Sequence, residues 1–527
     1  MNNRKFQQSL FELLNKNKIG LSFTIIGCIF FKYRHIWPHV KKTYFRLLRQ
    51  SFIGENINAK IVKQVKDVKE GLIEDRFKKI KSDVILNDIP YKGSSELVSH
   101  RIQLIEPCKY FKVSGALYTD QNLYQNIVGD IYAKFGWISP THPNLWPYVN
   151  QSRAELYKFC CNLFNGTDSS CANFTEGGTM SIIQAVYAYR EQAETEKGIT
   201  NPNIVIPCTA HASFRKACKI LKIELRHVSV NTKTNKAVPE LMESLIDKNT
   251  ILIVGSAPSF PNGIIDPIEK LGKLAHKYKI GFHIDACLGG FQLPFVEQAG
   301  FILSDICDFR NKNVTSISAD LHKFGKSPKG CSVIMFSNKK LRGYLTYVDI
   351  KWDGGLYVVP GFPGSQSAAA ILSAWAILVR TGIEGYIKST RKALLLRQEL
   401  VTEISKLSDI HVVGNPELST VGITSSIYNI HFIAKKMGEY EWDLNTLPKG
   451  LHICMTERLL NIENPVESFI NDLKKSIEYI NNHKDEDPGE AAQIYCSTQK
   501  IPDYAEDVLE EIGRAYIDVQ DMVNYCK

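Results

Sequence analysis

The stretch Ser316-Ile317-Ser318-Ala319-Asp320-Leu321-His322-Lys323-Phe324-Gly325 sets a histidine and a lysine side by side just past an apolar run. His283-Ile284-Asp285-Ala286 places an aspartate 38 residues before that lysine, at the end of another apolar run. Taken singly, a solvated lysine or a helix-capping aspartate explains each residue. Taken in order, they fit the needs of pyridoxal phosphate chemistry. That chemistry requires a lysine amine that can form a Schiff base and a carboxylate that keeps the pyridine nitrogen protonated, so that the ring can absorb electrons. Lys323 and Asp285 are the candidates, and pyridoxal 5'-phosphate is the expected cofactor.

Around this pair, from about 150 to 340, short β-rich runs alternate with amphipathic stretches. Ile204–Ile206, Glu224–Val228, Ile251–Val254, Ile280–Ile284, Val314–Ile317 and Ser332–Phe336 read as strands, with helices such as His211–Leu221 and Ile268–Tyr278 between them. This is the α/β pattern of a large, mostly parallel sheet covered by helices. Right-handed crossovers bring the C-terminal strand ends to one edge, where ligands bind in open sheets. Asp285 ends one such strand, and Lys323 follows another after a short loop.

Upstream, Thr175-Glu176-Gly177-Gly178-Thr179-Met180-Ser181 precedes the helical run Ile182-Ile183-Gln184-Ala185-Val186. Glycines at a helix start let backbone N–H groups approach a phosphate, and the helix dipole favours the anion. An ordinary turn explains Gly-Gly-Thr equally well, so its weight comes from lying upstream of His211, Asp285 and Lys323. His211 opens the next helix, where it either stacks on a pyridine ring or serves as a helix-terminal polar residue. His322 and Ser365 are further candidate phosphate contacts.

At 527 residues the chain is too long for one ordinary core. Its net charge of +9 is confined to one end: residues 1–60 hold eleven Lys or Arg against Glu12 and Glu55, and the remainder carries 53 of each sign. A basic end points to a membrane surface, and a neutral remainder gives no support to a nucleic-acid partner. Ile19–Phe31 is a run of thirteen uncharged, mostly apolar residues. It falls short of the roughly 20 needed for a helical span. Lys18, Lys32 and the aromatic flank Tyr33–Trp37 extend it to a marginal single-pass anchor, with a buried or interfacial helix as the alternative. The basic residues after it slightly outnumber those before it, placing the C-terminal side in the cytosol. Thirteen cysteines without regular spacing fit reduced thiols and give no zinc or other metal site. The expected organisation is an anchor with basic flank at 1–50, a helical stem at 51–110, a large cofactor-binding domain at 111–384, and a smaller C-terminal α+β domain and tail at 385–527.

The motifs taken together resemble the sphingosine-1-phosphate lyase family, in the group II decarboxylase branch of fold-type I pyridoxal phosphate enzymes. The resemblance runs from about 95 to 505. It rests on Ser114-Gly115-Ala116-Leu117-Tyr118, Pro140-Thr141-His142-Pro143, Gly177-Gly178-Thr179, His211, His283-Ile284-Asp285-Ala286-Cys287-Leu288-Gly289-Gly290-Phe291, the Ser316–Lys323 stretch, Pro328-Lys329-Gly330, Gly364-Ser365 and Ile501-Pro502-Asp503. The resemblance implies that Lys323 forms the internal Schiff base, Asp285 partners the pyridinium and His211 stacks on the ring, while Gly178, Thr179 and His322 hold the cofactor phosphate. It implies that Ser365 reaches in from the other subunit of a homodimer, and that Tyr118, His142 and Lys329 grip a substrate phosphate. The activity implied is cleavage of a phosphorylated sphingoid base at an endoplasmic reticulum membrane, with the catalytic domain cytosolic.

The chain departs from the family pattern at five positions. Glu176 stands in place of a serine, Met180 of a Glu or Asn, Leu321 of a threonine, Lys326 of a tyrosine and Gln366 of an arginine. These changes motivate a rival reading, a catalytically impaired paralogue that binds cofactor or lipid. A second rival, an amino-acid decarboxylase, would need a cation for a substrate carboxylate and no phosphate grip.

Overall fold

The computed structural model describes residues 112–483 apart from 143, together with Ser95, Ser99, Glu486 and Ile517. Residues 112–483 belong to one compact unit. The expected anchor, nearly all of the stem and the Ile501-Pro502-Asp503 motif lie outside the described residues.

In chain order the elements that matter here are helices α1 (Gln125–Phe135) and α2 (Pro147–Leu163), strand β1 (Cys171–Thr175), α3 (Gly178–Lys197), β2 (Asn203–Pro207), α4 (Ala212–Leu221), β3 (Glu224–Val228), β4 (Thr250–Ser256), α5 (Ile268–Tyr278), β5 (Gly281–Asp285), β6 (Ser316–Ala319), β7 (Ser332–Phe336), β8 (Tyr347–Asp349), β9 (Tyr357–Val359), α6 (Ala368–Ser405), β10 (His411–Val412), β11 (Thr420–Thr424), α7 (Ile430–Glu439), β12 (Asn445–Leu447), β13 (Gly450–Cys454) and α8 (Pro465–Asn482). Strands β1 to β7 form one sheet in the order β1-β7-β6-β5-β4-β2-β3. Its β6-β5-β4-β2-β3 portion is parallel, while β7 runs antiparallel to both β6 and β1.

The expected mostly parallel sheet is therefore present, with Ser332–Phe336 as its one reversed strand. Only a loop, 320–331, joins β6 to β7, and a short connection without a crossover helix returns the chain antiparallel. The central strands are buried on both faces, as expected where helices cover the two sides. One apolar layer holds residues such as Phe282, Ile284, Ile317 and Leu321. The opposite layer packs α3 and α4 through Ile182, Val186 and Phe214. Edge strand β3 carries charge instead: Arg226 pairs with Glu224 and Asp247.

A second sheet, β10-β11-β13-β12, packs against α7 and α8 around Trp442, Ile453 and Phe469. Segment 112–120 is fastened to this sheet. Ser114 donates its N–H to Asp443 O at 2.9 Å, its carbonyl accepts from Asn445 Nδ2 at 2.7 Å, and its hydroxyl accepts from Cys454 N at 2.8 Å. That fastening delivers Tyr118 to the edge of the large sheet. Helix α6 is long and apolar, but half of its apolar window is buried and Gly382 (φ 62°, ψ 172°) interrupts it, so it reads as a core helix.

Candidate active site

The C-terminal ends of β5 and β6 put Asp285 and the 320–329 loop at one sheet edge. Asp285 is 5% exposed, and its carboxylate accepts from Cys287 N at 3.1 Å and Ser318 Oγ at 3.5 Å. Ser318 in turn meets His283 Nε2 at 3.1 Å, and His283 Nδ1 meets Ser316 Oγ at 2.7 Å. Full burial pushes the His283 imidazole down to about 3, so this chain of hydrogen bonds behind Asp285 is neutral. The aspartate is thus fixed in place by neutral donors.

Lys323 Nζ lies 2.9 Å from Asp320 Oδ2, and the side chains are 18% and 2% exposed. Burial disfavours the charge on each, but the partner's opposite charge outweighs it: Asp320 is held below the usual carboxylate range and Lys323 above the usual amine range. Ser332 Oγ donates to the other Asp320 oxygen at 2.6 Å. Sequence alone assigns Asp320 no role, although it lies inside the stretch that decides the fold. Its i, i+3 spacing to Lys323 across a tight loop is the signal that could have found it.

Gly177 caps α3 with φ 119°, a conformation open to glycine, and no side chain caps the helix. Met180 N and Ser181 N turn back to Gly177 O, which leaves a cradle in which the Gly178 and Thr179 N–H groups have no bond to another described residue. A Cβ on Gly178 would lie 2.7 Å from Asp320 Oδ1 and 2.9 Å from Cys287 Sγ, so only glycine fits. His322 flanks the cradle, its Cε1 3.6 Å from where a Gly177 Cβ would stand, and its buried Nδ1 has no hydrogen-bond partner. Burial pulls the His322 imidazole below its usual range. Thr179 Oγ1 meets Ser213 Oγ at 2.8 Å, and Ser213 Oγ meets His211 Nδ1 at 2.8 Å. An open helix start, an orphaned imidazole nitrogen and converging hydroxyls fit the phosphate of a pyridoxal cofactor. His211 also caps α4, accepting from Ser213 N at 3.1 Å, so the helix-terminal reading holds alongside its place beside the cradle. Ser213, Cys287 and Ser318 contribute although the sequence assigns them no role; a serine two residues after a capping histidine gives little signal there.

Lys329 Nζ lies over the ring of the buried Tyr118, 5.3 Å from its centre. Both line a cavity of about 370 Å³ that also takes in His322, Leu117, Val128 and Ile377. Burial, then the charge of Lys323, lowers Lys329 below the usual amine range. His142 and Ser365 are not gathered in with them. Both are exposed, and neither side chain bonds another described residue. Their loops are nonetheless stitched together, by Ala368 N to Ile138 O at 2.9 Å and Gln366 N to Ser139 Oγ at 3.4 Å. Of the departures, Leu321 is fully buried in the core. Glu176 is exposed and accepts from Gln366 Nε2 at 3.4 Å. Lys326 pairs with Glu457 at 2.8 Å. Among the described residues no cluster suited to a metal ion occurs.

The pyridoxal-dependent decarboxylase conserved domain matches residues 163–424. Sphingosine-1-phosphate lyase 1 of Rattus norvegicus is 37% identical over 501 residues, covering 93% of this chain and 86% of the relative. The sphingosine-1-phosphate lyase of Saccharomyces cerevisiae is 33% identical over 468 residues, covering 86% and 79%. The solved sphingosine-1-phosphate lyase of Burkholderia pseudomallei superposes with a TM-score of 0.72 at 30% identity, covering 75% of this chain and 93% of that one. A Lactobacillus brevis glutamate decarboxylase, 18% identical with a TM-score of 0.65, shares the fold. With cradle, carboxylate and lysine assembled on that fold, the chain belongs to the sphingosine-1-phosphate lyase family of pyridoxal-phosphate-dependent enzymes.

Proposed function

We propose that this protein cleaves the C2–C3 bond of phosphorylated sphingoid bases, releasing a long-chain aldehyde and phosphoethanolamine, as a homodimer attached to the endoplasmic reticulum membrane through its basic N-terminal segment. The observation that carries this reading is the 320–329 loop. Its two ends present an amine fixed on Asp320 and the Lys329 cation beside Tyr118 in a cleft with an apolar wall. A hydroxyl and an ammonium both donate to a phosphate dianion, and Leu117, Val128 and Ile377 suit a hydrocarbon chain. An amino-acid decarboxylase needs no such pairing.

On this reading Gly178, Thr179 and His322 would hold the cofactor phosphate, His211 would cover the ring and Asp285 would meet its nitrogen. Bound pyridoxal phosphate supplies the electron sink for the breaking bond. Asp285 keeps a proton on the ring nitrogen by its negative charge, and Ser318 and Cys287 N fix the carboxylate's direction. Asp320 receives the Lys323 ammonium whenever that amine is free. A phosphate bound against Lys329 offsets the burial that depresses its charge.

The homodimer reading draws on His142 and Ser365, exposed on stitched loops of one face that also bears Trp137 (94% exposed). Membrane attachment draws on the charge excess in residues 1–60 and the apolar run that follows Lys18. Incubation with a phosphorylated sphingoid base labelled in its chain tests the activity. Labelled aldehyde that disappears in Lys323→Ala is the expected result. A cofactor absorbance band without any aldehyde would overturn the reading in favour of an impaired paralogue.

A further inference from the structure

Lys326 is an unexpected residue in an unexpected conformation. It has a left-handed backbone (φ 67°) that a lysine rarely adopts, yet the residue is 8% exposed. The side chain runs across the Tyr386 ring, with Nζ 5.6 Å from its centre, and Tyr386 donates its hydroxyl to Gly325 O at 2.9 Å. Nζ ends 2.8 Å from Glu457 Oε1, in an ion pair whose side chains are 7% and 15% exposed. The other Glu457 oxygen accepts from Asp120 N at 3.3 Å, and Glu457 N donates to Tyr118 O at 3.0 Å. Glu457 therefore grips the backbone on both sides of Thr119. Lys326 sits three residues from Lys329 on the opposite wall, and its N–H donates to Lys323 O at 2.9 Å.

We propose that Lys326 and Glu457 form a clasp that sets the spacing between Tyr118 and Lys329, and so act as positioning residues for the phosphate of the substrate. The proposal rests on the substrate-phosphate role of Tyr118 and Lys329 and deepens it. Tyr118 arrives on a segment fastened to the small sheet, and Lys329 arrives on a loop of the large one. The Lys326–Glu457 pair is a direct side-chain tie between the loop of Lys329 and the backbone of Tyr118. Removing one partner leaves the other charged and buried, so each single change should disturb the grip more than removal of both. A tyrosine at 326 would carry no charge for Glu457, so the two residues belong together as a feature of this chain.

The test compares Lys326→Met, Glu457→Gln and the double variant K326M/E457Q with wild type, all as full-length holoenzyme. Phosphoethanolamine affinity is measured by calorimetry, cofactor content by borohydride-fixed pyridoxyl groups, and KM and kcat with the phosphorylated base. Each single variant is expected to keep its cofactor, lose about tenfold in phosphoethanolamine affinity and raise KM more than it lowers kcat, with the double variant recovering at least part of the loss. Equal affinity in all four proteins, or losses in the singles that simply add in the double, overturns the clasp. A loss of cofactor parallel to the loss of affinity shows a merely structural role and overturns it as well. Failure of wild type to bind phosphoethanolamine or release aldehyde sinks the functional reading itself, and the clasp with it.

Discussion

The 283–332 region and the loops around 136–146 and 361–367 both carry residues on which the resemblance rests, yet Asp285 and Lys323 have side-chain partners within the chain while His142 and Ser365 have none among the described residues. Around Lys323, Asp320 answers the amine, Ser332 answers Asp320, and Ser318 and Cys287 N answer Asp285. Around His142 and Ser365 the backbone is stitched but the side chains face outward. The contrast teaches that one sheet edge suffices to prepare the cofactor's half of the site. The remaining contacts, on our reading, are given to and received from a second copy.

The harshest way to break that comparison is Lys323→Ala. It should abolish the borohydride-fixed pyridoxyl group and lower aldehyde release by on the order of 10⁴-fold or more, because no other amine occupies that position. Retention of labelling would relocate the whole site. A sharper version mixes subunits. If His142 serves the partner's site, co-expressing Lys323→Ala with His142→Ala chains restores one intact site in each mixed dimer. With random pairing, about a quarter of wild-type activity returns, although each variant alone is weak. No recovery above the two parents would place His142 in its own subunit's site, or in none.

Much of the large sheet and its helices is legible in the amino-acid sequence, because the signals are local. β3 and β7 match the expected strands residue for residue, and Ile268–Tyr278 is α5 in full. β7 is a short continuous apolar run, and α5 repeats its apolar residues at helical spacing. Strand β1 escapes the pattern because Cys171-Ala172-Asn173-Phe174-Thr175 carries no Val or Ile and a single large apolar residue, whereas β7 reads Ser-Val-Ile-Met-Phe. The reversal of β7 is illegible because strand direction depends on the connection, and the composition of loop 320–331 does not reveal that it lacks a crossover helix. Asp285 and Lys323 are legible as residue types in order. The partners that orient them are not: Ser318 and Ser332 become meaningful only when neighbouring strands pair, and Cys287 contributes a backbone N–H that its residue type does not advertise.

The network behind Asp285 predicts a pH dependence of stability. His283 is buried and held down to about 3, below its value of about 6.5 in an unfolded chain. A depressed folded value means that the unfolded chain takes up the proton first. The stability from this residue is therefore fully present above about pH 6.5 and is lost as pH falls toward 3. His452, held down to about 4, acts in the same direction, while Asp266, pushed up to about 6 by burial, acts in the opposite one. Comparing wild type with His283→Gln cancels both. The slope of unfolding free energy between pH 4 and 6, from denaturant titrations, should fall by about 1.4 kcal/mol per pH unit in the variant. An unchanged slope would show that His283 takes up its proton in the folded state without cost.

The smallest expected effect concerns Glu176 and Gln366, where the sequence raises the sharpest doubt about cofactor binding. A carboxylate beside a phosphate dianion should repel it, and a missing guanidinium should weaken the cradle further. In the structure Glu176 is exposed and takes a hydrogen bond from Gln366 Nε2, which also donates to Phe174 O at 3.2 Å. The two substitutions answer each other across the rim. In water, a unit charge about 8 Å from a phosphate dianion interacts by only about 1 kcal/mol, which is about fivefold in affinity. Glu176→Ser should therefore tighten pyridoxal phosphate by no more than about that factor, and Glu176→Ser with Gln366→Arg by little more. Cofactor dissociation constants from fluorescence titration of the stripped protein provide the check. A gain well beyond tenfold would mean that the carboxylate faces the phosphate, and that the rim of the cradle is built differently from its floor.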